Sequence, residues 1–325
     1  MVLNDTTFDY LDEFYGISAK WFAIYALTAS LFTIISNAFF ITFTLTTPSL
    51  RKNAANWFLL GFSLSDLLHG VARAADAYAL WYGSVDNRHL CATAGLFTIS
   101  TVTCSFGFPA LIAAERYYQI STISQSTAFS FGSAIFAEHR TLPLIAGWFF
   151  LSVMVNLPLM LNDAFGEDPA GFCGAKKFTS VPLLLSYECT VIFVFFGSLT
   201  ITAIYYYRLV KWLKNQAASI NRHESTDYTS GVMRVMKIVT LLPLLTISPI
   251  AILTAGQMIL PVLPMWINRL LIAPYSSSSA ANPWLTIGLI KPFRVRFLQL
   301  LSNVRNSVPR QLDNLSNRSS AVRRI

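Results

Sequence analysis

The sequence predicts an all-α membrane protein: a seven-transmembrane helix bundle, N-terminus outside, with a short amphipathic helix after the seventh span. Three observations predict it. Of 325 residues, 54% are hydrophobic and only 12% are charged. That is about half the charged share of a soluble domain, too little to clothe a water-facing surface. Seven mostly apolar stretches reach the roughly 20 residues that a helix needs to cross a bilayer. The Lys and Arg residues crowd into alternate gaps between them, as the positive-inside bias requires.

The start of the chain is acidic, with Asp5, Asp9, Asp12 and Glu13 and no basic residue before Lys20. A cleavable signal needs a basic start and a short apolar run. The first apolar run is too long for that, so an extracellular tail over 1–19 is expected to lead into a retained anchor. In that tail Asn4-Asp5-Thr6 forms a glycosylation sequon, usable once exported.

Spans are expected near 20–46, 56–81, 91–120, 141–163, 179–210, 232–260 and 265–290. The later ones contain Pro or small residues, which neighbouring helices make tolerable. With the N-terminus outside, the inner side receives Arg51, Lys52, Arg140, Arg208, Lys211, Lys214, Arg222, Arg234 and Lys237, then the basic residues after Lys291. The outer side receives only Lys20, Arg88, Lys176 and Lys177. Beyond the seventh span, Phe293, Phe297, Leu300 and Leu301 share one stripe opposite Arg294 and Arg296, the pattern of a helix lying on the inner leaflet. The expected plan is therefore a tail over 1–19, a bundle with its membrane-surface helix over 20–301, and a disordered cytoplasmic tail over 302–325.

Charges inside the spans are the informative residues. At the inner end of the third span stands Glu115-Arg116-Tyr117, two adjacent charges that cost several kcal/mol unless they pair or reach the interface. In the second span Asp66, His69, Arg73 and Asp76 fall at helical spacing on one face. Such groups face the bundle interior or a watery cavity. Arg73 and Asp76 read equally as an i,i+3 ion pair that neutralises both charges and as polar anchors of a ligand cavity. Thr98, Tyr187, Glu188, Gln257, Asn268, Arg269 and Tyr275 are the candidate neighbours on other spans. Cys104 and Cys189 fall within spans and read as free thiols.

Taken in order, Ser36-Asn37, Leu64-Ser65-Asp66-Leu67, Cys91, Glu115-Arg116-Tyr117, Trp148 with Pro158, Pro249, Asn282-Pro283 and Phe293 resemble the markers of rhodopsin-like (class A) G-protein-coupled receptors. The resemblance covers about 20–301. It implies a disulfide from Cys91 to Cys173 in the second outer loop. It also implies a switch built from Glu115, Arg116, Tyr117, Tyr206 (or its neighbours Tyr205 and Tyr207), Asn282 and Pro283. A hydrated sodium ion among Asp66, Ser105, Ser279 and Asn282 would follow from it as well. Hydroxyl and carboxylate oxygens suit such a hard cation, although a water-bridged network needs the same residues. No other cofactor is expected. Thr98 stands where amine receptors of the family place Asp, which counts against a biogenic-amine ligand, and Ser276 near where opsins carry the retinal-linking Lys, which counts against a bound retinal Schiff base.

Departures from the family pattern are equally plain. Asn282-Pro283-Trp284-Leu285-Thr286 has Thr in place of Tyr, and Thr246-Ile247-Ser248-Pro249 lacks the Trp of the sixth span. The fifth span has Gly197 and Ser198 where the family has Pro. A divergent sensory receptor, such as an invertebrate chemoreceptor of the nematode type, fits this pattern.

The expected function is thus that of a multi-pass plasma-membrane receptor for an extracellular small molecule or peptide. It would activate a heterotrimeric G protein as the sixth span moves and Arg116 is released. A multispan transporter or channel is the alternative, but it predicts internal pseudo-repeats, and the chain has no convincing halves. An enzyme is not expected, because no His-Glu-x-x-His or Gly-x-Ser-x-Gly motif occurs. The charge of +8 does not imply nucleic acid, since the basic residues sit at inner span ends.

Overall fold

The computed structural model describes residues 17–82, 88–124, 131–168, 170–176, 180–220, 246 and 265–303. The chain divides into two compact units, Met1–Pro283 and Trp284–Ile325. In the first, helix α1 (Ile17–Thr46) is followed by the single turn α2 (Pro48–Arg51), α3 (Ala54–Tyr82) and α4 (Arg88–Ser124). A short α5 (Phe131–Ile135) and a 3₁₀ turn (Glu138–Arg140) lead into α6 (Thr141–Leu161). Strands β1 (Phe165–Glu167) and β2 (Cys173–Ala175) precede α7 (Val181–Ile220) and α8 (Met265–Leu289). A last helix, α9, covers 291–303 in the second unit.

Six of the seven expected spans correspond to α1, α3, α4, α6, α7 and α8, with ends within a few residues except at α7. The sixth lies outside the described residues apart from Thr246, which is helical. By length and composition alone, α1, α4, α6 and α7 are apolar enough to cross a membrane. Helix α3 carries Asp66, His69, Arg73 and Asp76, and α8 carries Asn268, Arg269 and a run of four serines, which dilutes both.

Packing is inverted relative to a soluble bundle. On α1 the buried stripe is Ala19, Ala23, Ala26, Ser30, Thr33 and Asn37, while Trp21, Ile24, Leu27, Leu31 and Ile35 point outward. Lipid is as apolar as Leu, so small residues that permit close approach take the interface. Ser30 Oγ donates to Gly70 O of α3 at 2.5 Å, and Tyr25 OH donates to Ala273 O of α8 at 2.6 Å. A larger apolar cluster of Phe58, Cys104, Phe108 and Ile145 ties α3, α4 and α6 together.

The outer loop is more ordered than a polar break suggests. β1 and β2 pair antiparallel with Gly166 opposite Gly174. Asp168 closes the hairpin: its Oδ1 accepts the N–H groups of Ala170 (2.8 Å) and Phe172 (2.9 Å). Gly171 has φ 88°, a left-handed conformation that glycine adopts without strain. Three-residue strands are too short to leave a two-residue hydrophobic period, which is why the sequence does not signal them. Two further departures lie at the inner side: α7 runs on to Ile220, and α5 interrupts what reads as a polar break.

Candidate functional site

The polar face of α3 is buried as its spacing demands: Asp66, His69, Arg73 and Asp76 are all at most 7% exposed. Asp66 is the deep member. Its Oδ1 accepts Ser105 Oγ at 3.0 Å and its Oδ2 accepts Asn282 Nδ2 at 2.7 Å, with Ser279 a further hydrogen-bond partner. Ser105 Oγ also lies 3.0 Å from Ser65 Oγ. One turn of the chain explains how Asn282 is aimed. Pro283 has no N–H, so the helical donor to Ser279 O is missing. Asn37 Nδ2 supplies it at 3.0 Å, which pins α1 against α8 beside the Asp66 network. The four expected sodium-site residues therefore meet, and their carboxylate and hydroxyl oxygens suit a hard cation.

Nearer the outer surface, Arg73 Nε lies 2.7 Å from Asp76 Oδ2. Asp76 Oδ1 accepts the backbone N–H of Cys173 at 2.8 Å, and Cys173 is bridged to Cys91, the expected disulfide. The Arg73 guanidinium stacks 5.0 Å from the Phe172 ring. From α8, Arg269 is fully buried and donates to Ala170 O (2.9 Å) and Ser18 Oγ (3.0 Å). Three buried charged side chains thus hold the hairpin from below, with Phe172 seated among Ala19, Ala23 and Leu80. Burial pushes the Asp168 carboxyl up to about 7, against the lowering pull of its Phe172 and Ala170 N–H donors; nearby Asp76 raises it and Arg73 lowers it.

At the inner end, Glu115 is 2% exposed and its Oε2 lies 3.8 Å from Arg116 Nε, whose side chain is one-third exposed. Tyr206 is buried, packs with Ala113 and lies within electrostatic reach of Arg116. Tyr205 instead meets Tyr118, their hydroxyls 3.2 Å apart, and Tyr207 is exposed. Phe136 stacks on Tyr118.

Other expected ligand-site residues divide by what they touch. Tyr187 is buried with Ala92, Leu159 and Phe165. Thr98 Oγ1, Glu188 Oε1 and Asn268 Oδ1 are buried with no hydrogen-bond partner among the described residues. Gln257, the side chain of Tyr275, and Asn4 lie outside what is described. Sequence reasoning did not single out Ser18, Asp168, Phe172 or Tyr118 for a role. Only Asp168, two residues ahead of Ala170-Gly171, carried a turn signal.

The chain is similar to known proteins along most of its length. The family model for "7 transmembrane receptor (rhodopsin family)" matches residues 36–285. Among solved structures, squid rhodopsin superposes with a TM-score of 0.70 at 18% identity, covering 88% of this chain and 86% of that one. No curated protein sequence matches.

Proposed function

We propose a function on a premise that the match over residues 36–285 establishes: this chain belongs to the rhodopsin family of seven-transmembrane receptors. It is a membrane receptor and not an enzyme, and the transporter or channel reading loses its ground. The finer reading is that it sits in the plasma membrane and binds an extracellular ligand in the outer half of the bundle. It then activates a heterotrimeric G protein at the inner end.

The observation that carries this reading is the placement of Glu115, Arg116 and Tyr206. The Glu115–Arg116 pair lies between two limits: an exposed pair is worth about 0–1 kcal/mol, and a buried acid left without its partner costs about 3–5 kcal/mol. A ligand that prefers the arrangement in which Arg116 leaves Glu115 shifts the population toward it. Tyr206, buried on the neighbouring helix and within electrostatic reach of Arg116, would receive it. The sixth span is the element expected to move, and Arg116 is the group its movement frees. Asp66, Ser105, Ser279 and Asn282 would hold a sodium ion between the two ends; bound there, the ion would neutralise the Asp66 carboxylate.

Arg116→Ala tests the reading. It is expected to abolish ligand-stimulated nucleotide exchange on a co-expressed G protein while leaving surface expression intact. Undiminished exchange in that variant would remove the proposed switch.

A further inference from the structure

We infer that Tyr118 is a positioning residue for G-protein activation: its hydroxyl, paired with that of Tyr205, ties the α5 turn to α7 and restrains α7 in the resting arrangement. The inference rests on the receptor reading above and adds a second restraint beside the Glu115–Arg116 pair.

It begins with how the α5 turn is seated. Tyr118 stands on α4, two residues beyond Arg116. Its ring stacks on Phe136, the residue that follows α5, with centroids 5.7 Å apart and planes 15° from parallel. Phe136 in turn meets the Phe58 ring of α3 at 6.2 Å and packs on the apolar cluster shared by α3, α4 and α6. The next residue along α4, Gln119, donates through Nε2 to Phe136 O at 3.3 Å. Within α5 itself, a methyl group added at Gly132 would run into the Tyr118 ring and hydroxyl. Backbone and side chain of this segment are thus both fitted against Tyr118.

Tyr118 reaches α7 at the same time. Its hydroxyl lies 3.2 Å from that of Tyr205, and the two rings are 5.6 Å apart. Tyr117 adds a second ring against Tyr205 at 5.8 Å, and the Arg208 guanidinium lies 6.0 Å from the Tyr205 ring. Phe at both positions would fill nearly the same volume, so packing alone does not call for the two oxygens. What the oxygens add is direction. An apolar contact tolerates sliding, whereas a hydroxyl pair weakens steeply once its distance or angle departs from the usual range.

The consequence for the switch follows from adjacency. Tyr205 and Tyr206 are successive residues of α7, so fixing the first fixes the rotation and height of the second. In this structure Arg116 is paired with Glu115 at 3.8 Å, while Tyr206 packs on Ala113 within electrostatic reach of Arg116. A turn or shift of α7 that brings the Tyr206 hydroxyl to Arg116 carries Tyr205 with it. Such a movement either breaks the Tyr118–Tyr205 pair or drags Tyr118 away from Phe136 and Gly132. The resting arrangement keeps both contacts, and leaving it costs at least one of them.

The test uses the full-length receptor in lipid nanodiscs and needs no ligand. Spin labels at Glu138→Cys and Lys211→Cys, both exposed positions, in a Cys189→Ser background report the distance from the end of the α5 segment to α7 without G protein. Basal exchange of a fluorescent GTP analogue on added heterotrimeric G proteins reports the switch. Tyr118→Phe keeps the ring and removes one oxygen; Tyr205→Phe carries the same test should Tyr118→Phe not fold. Either is expected to broaden the distance distribution and to raise basal exchange about 2-fold to 10-fold, the span of one neutral hydrogen bond as an equilibrium constant. The two together should do no more than either alone. An unchanged distance distribution, a broadened one without the rise in exchange, or effects that add in the double variant overturn the inference. Exchange that rises in Tyr118→Phe and stays raised when Arg116→Ala is added would instead sink the switch proposed for Arg116 and leave this inference standing.

Discussion

Asp76 Oδ1 accepts the backbone N–H of Cys173 at 2.8 Å, so a carboxylate of α3 grips the residue that the disulfide ties to α4. Two independent restraints, one a charge-assisted hydrogen bond and one covalent, meet at one position of the hairpin. Arg73 completes the arrangement by neutralising Asp76 and covering Phe172. The i,i+3 pair that the spacing suggests is real, and it acts as a clamp on the outer loop.

Removing Asp76 alone therefore does two kinds of damage. Asp76→Ala strands the Arg73 charge and the Cys173 N–H in a buried site, and an uncompensated buried charge costs about 3–5 kcal/mol. The double substitution Arg73→Met with Asp76→Leu removes both charges and orphans only the N–H, at about 1–3 kcal/mol. Melting of the purified receptor in detergent is expected to rank wild type above the double variant, and the double variant above Asp76→Ala. An Asp76→Ala receptor as stable as the double variant would show that the pair contributes no clamp.

The hairpin also brings a pH dependence. Asp168 titrates near 7 in the folded protein against an ordinary 3.8, because its partly buried carboxyl loses hydration. The folded state thus binds the proton more tightly than the unfolded chain. Its stabilising contribution is complete below about 4 and is lost as pH rises through about 7. Asp76 and Arg73 are the charged neighbours, and their opposing effects leave burial dominant. Asp168→Asn keeps the side-chain oxygen for Ala170 and Phe172 but cannot ionise. Melting temperature should fall between pH 5 and 8 more steeply in wild type than in Asp168→Asn. Parallel slopes would show that the group does not titrate in this window.

Legibility from sequence followed the physics of each region. Spans read clearly because lipid imposes a length and an apolar composition, and the α3 polar row read clearly because helical spacing puts Asp66 through Asp76 on one face. The hairpin did not, since β1 and β2 are three residues each and their order comes from Asp168 turning back on Phe172. Partner choice was also hidden. Nothing in the spacing of Arg269 or Ser18 says that one reaches the other, because such contacts depend on helix tilt and on where the loop returns. Tyr205 and Tyr206 illustrate the same point: adjacent in sequence, they turn to different neighbours, one toward Tyr118 and the other toward Arg116.

A tight spot between α4 and α6 yields a packing prediction. A methyl group added at Gly107 would run into the Trp148 ring, which is held in place by its Nε1 donating to Cys104 O at 2.8 Å. Ala is ordinarily the better helix former by up to about 1 kcal/mol, so an open site would gain stability from Gly107→Ala. Overpacking against a tethered ring costs about 1–3 kcal/mol and decides the sign here. Gly107→Ala should lower the melting temperature, whereas Gly197→Ala, where a methyl group meets nothing within 4 Å, should not. A stabilised Gly107→Ala variant would contradict the close approach of α4 and α6.

Asp66 offers the last measurement. Its two oxygens already accept Ser105 and Asn282, so the same residues serve either a sodium ion or a closed hydrogen-bond network. The alternatives differ in one respect: only the ion gives stability that rises with sodium concentration. A site bound at ten times its dissociation constant adds about 1.4 kcal/mol by mass action. Replacing potassium chloride by sodium chloride at constant ionic strength should then raise the melting temperature of wild type. In Asp66→Asn the carboxylate is gone and the sodium-dependent rise should vanish, even if the network itself survives through the amide. An equal response to both salts in wild type would assign Asp66, Ser105, Ser279 and Asn282 to the network alone.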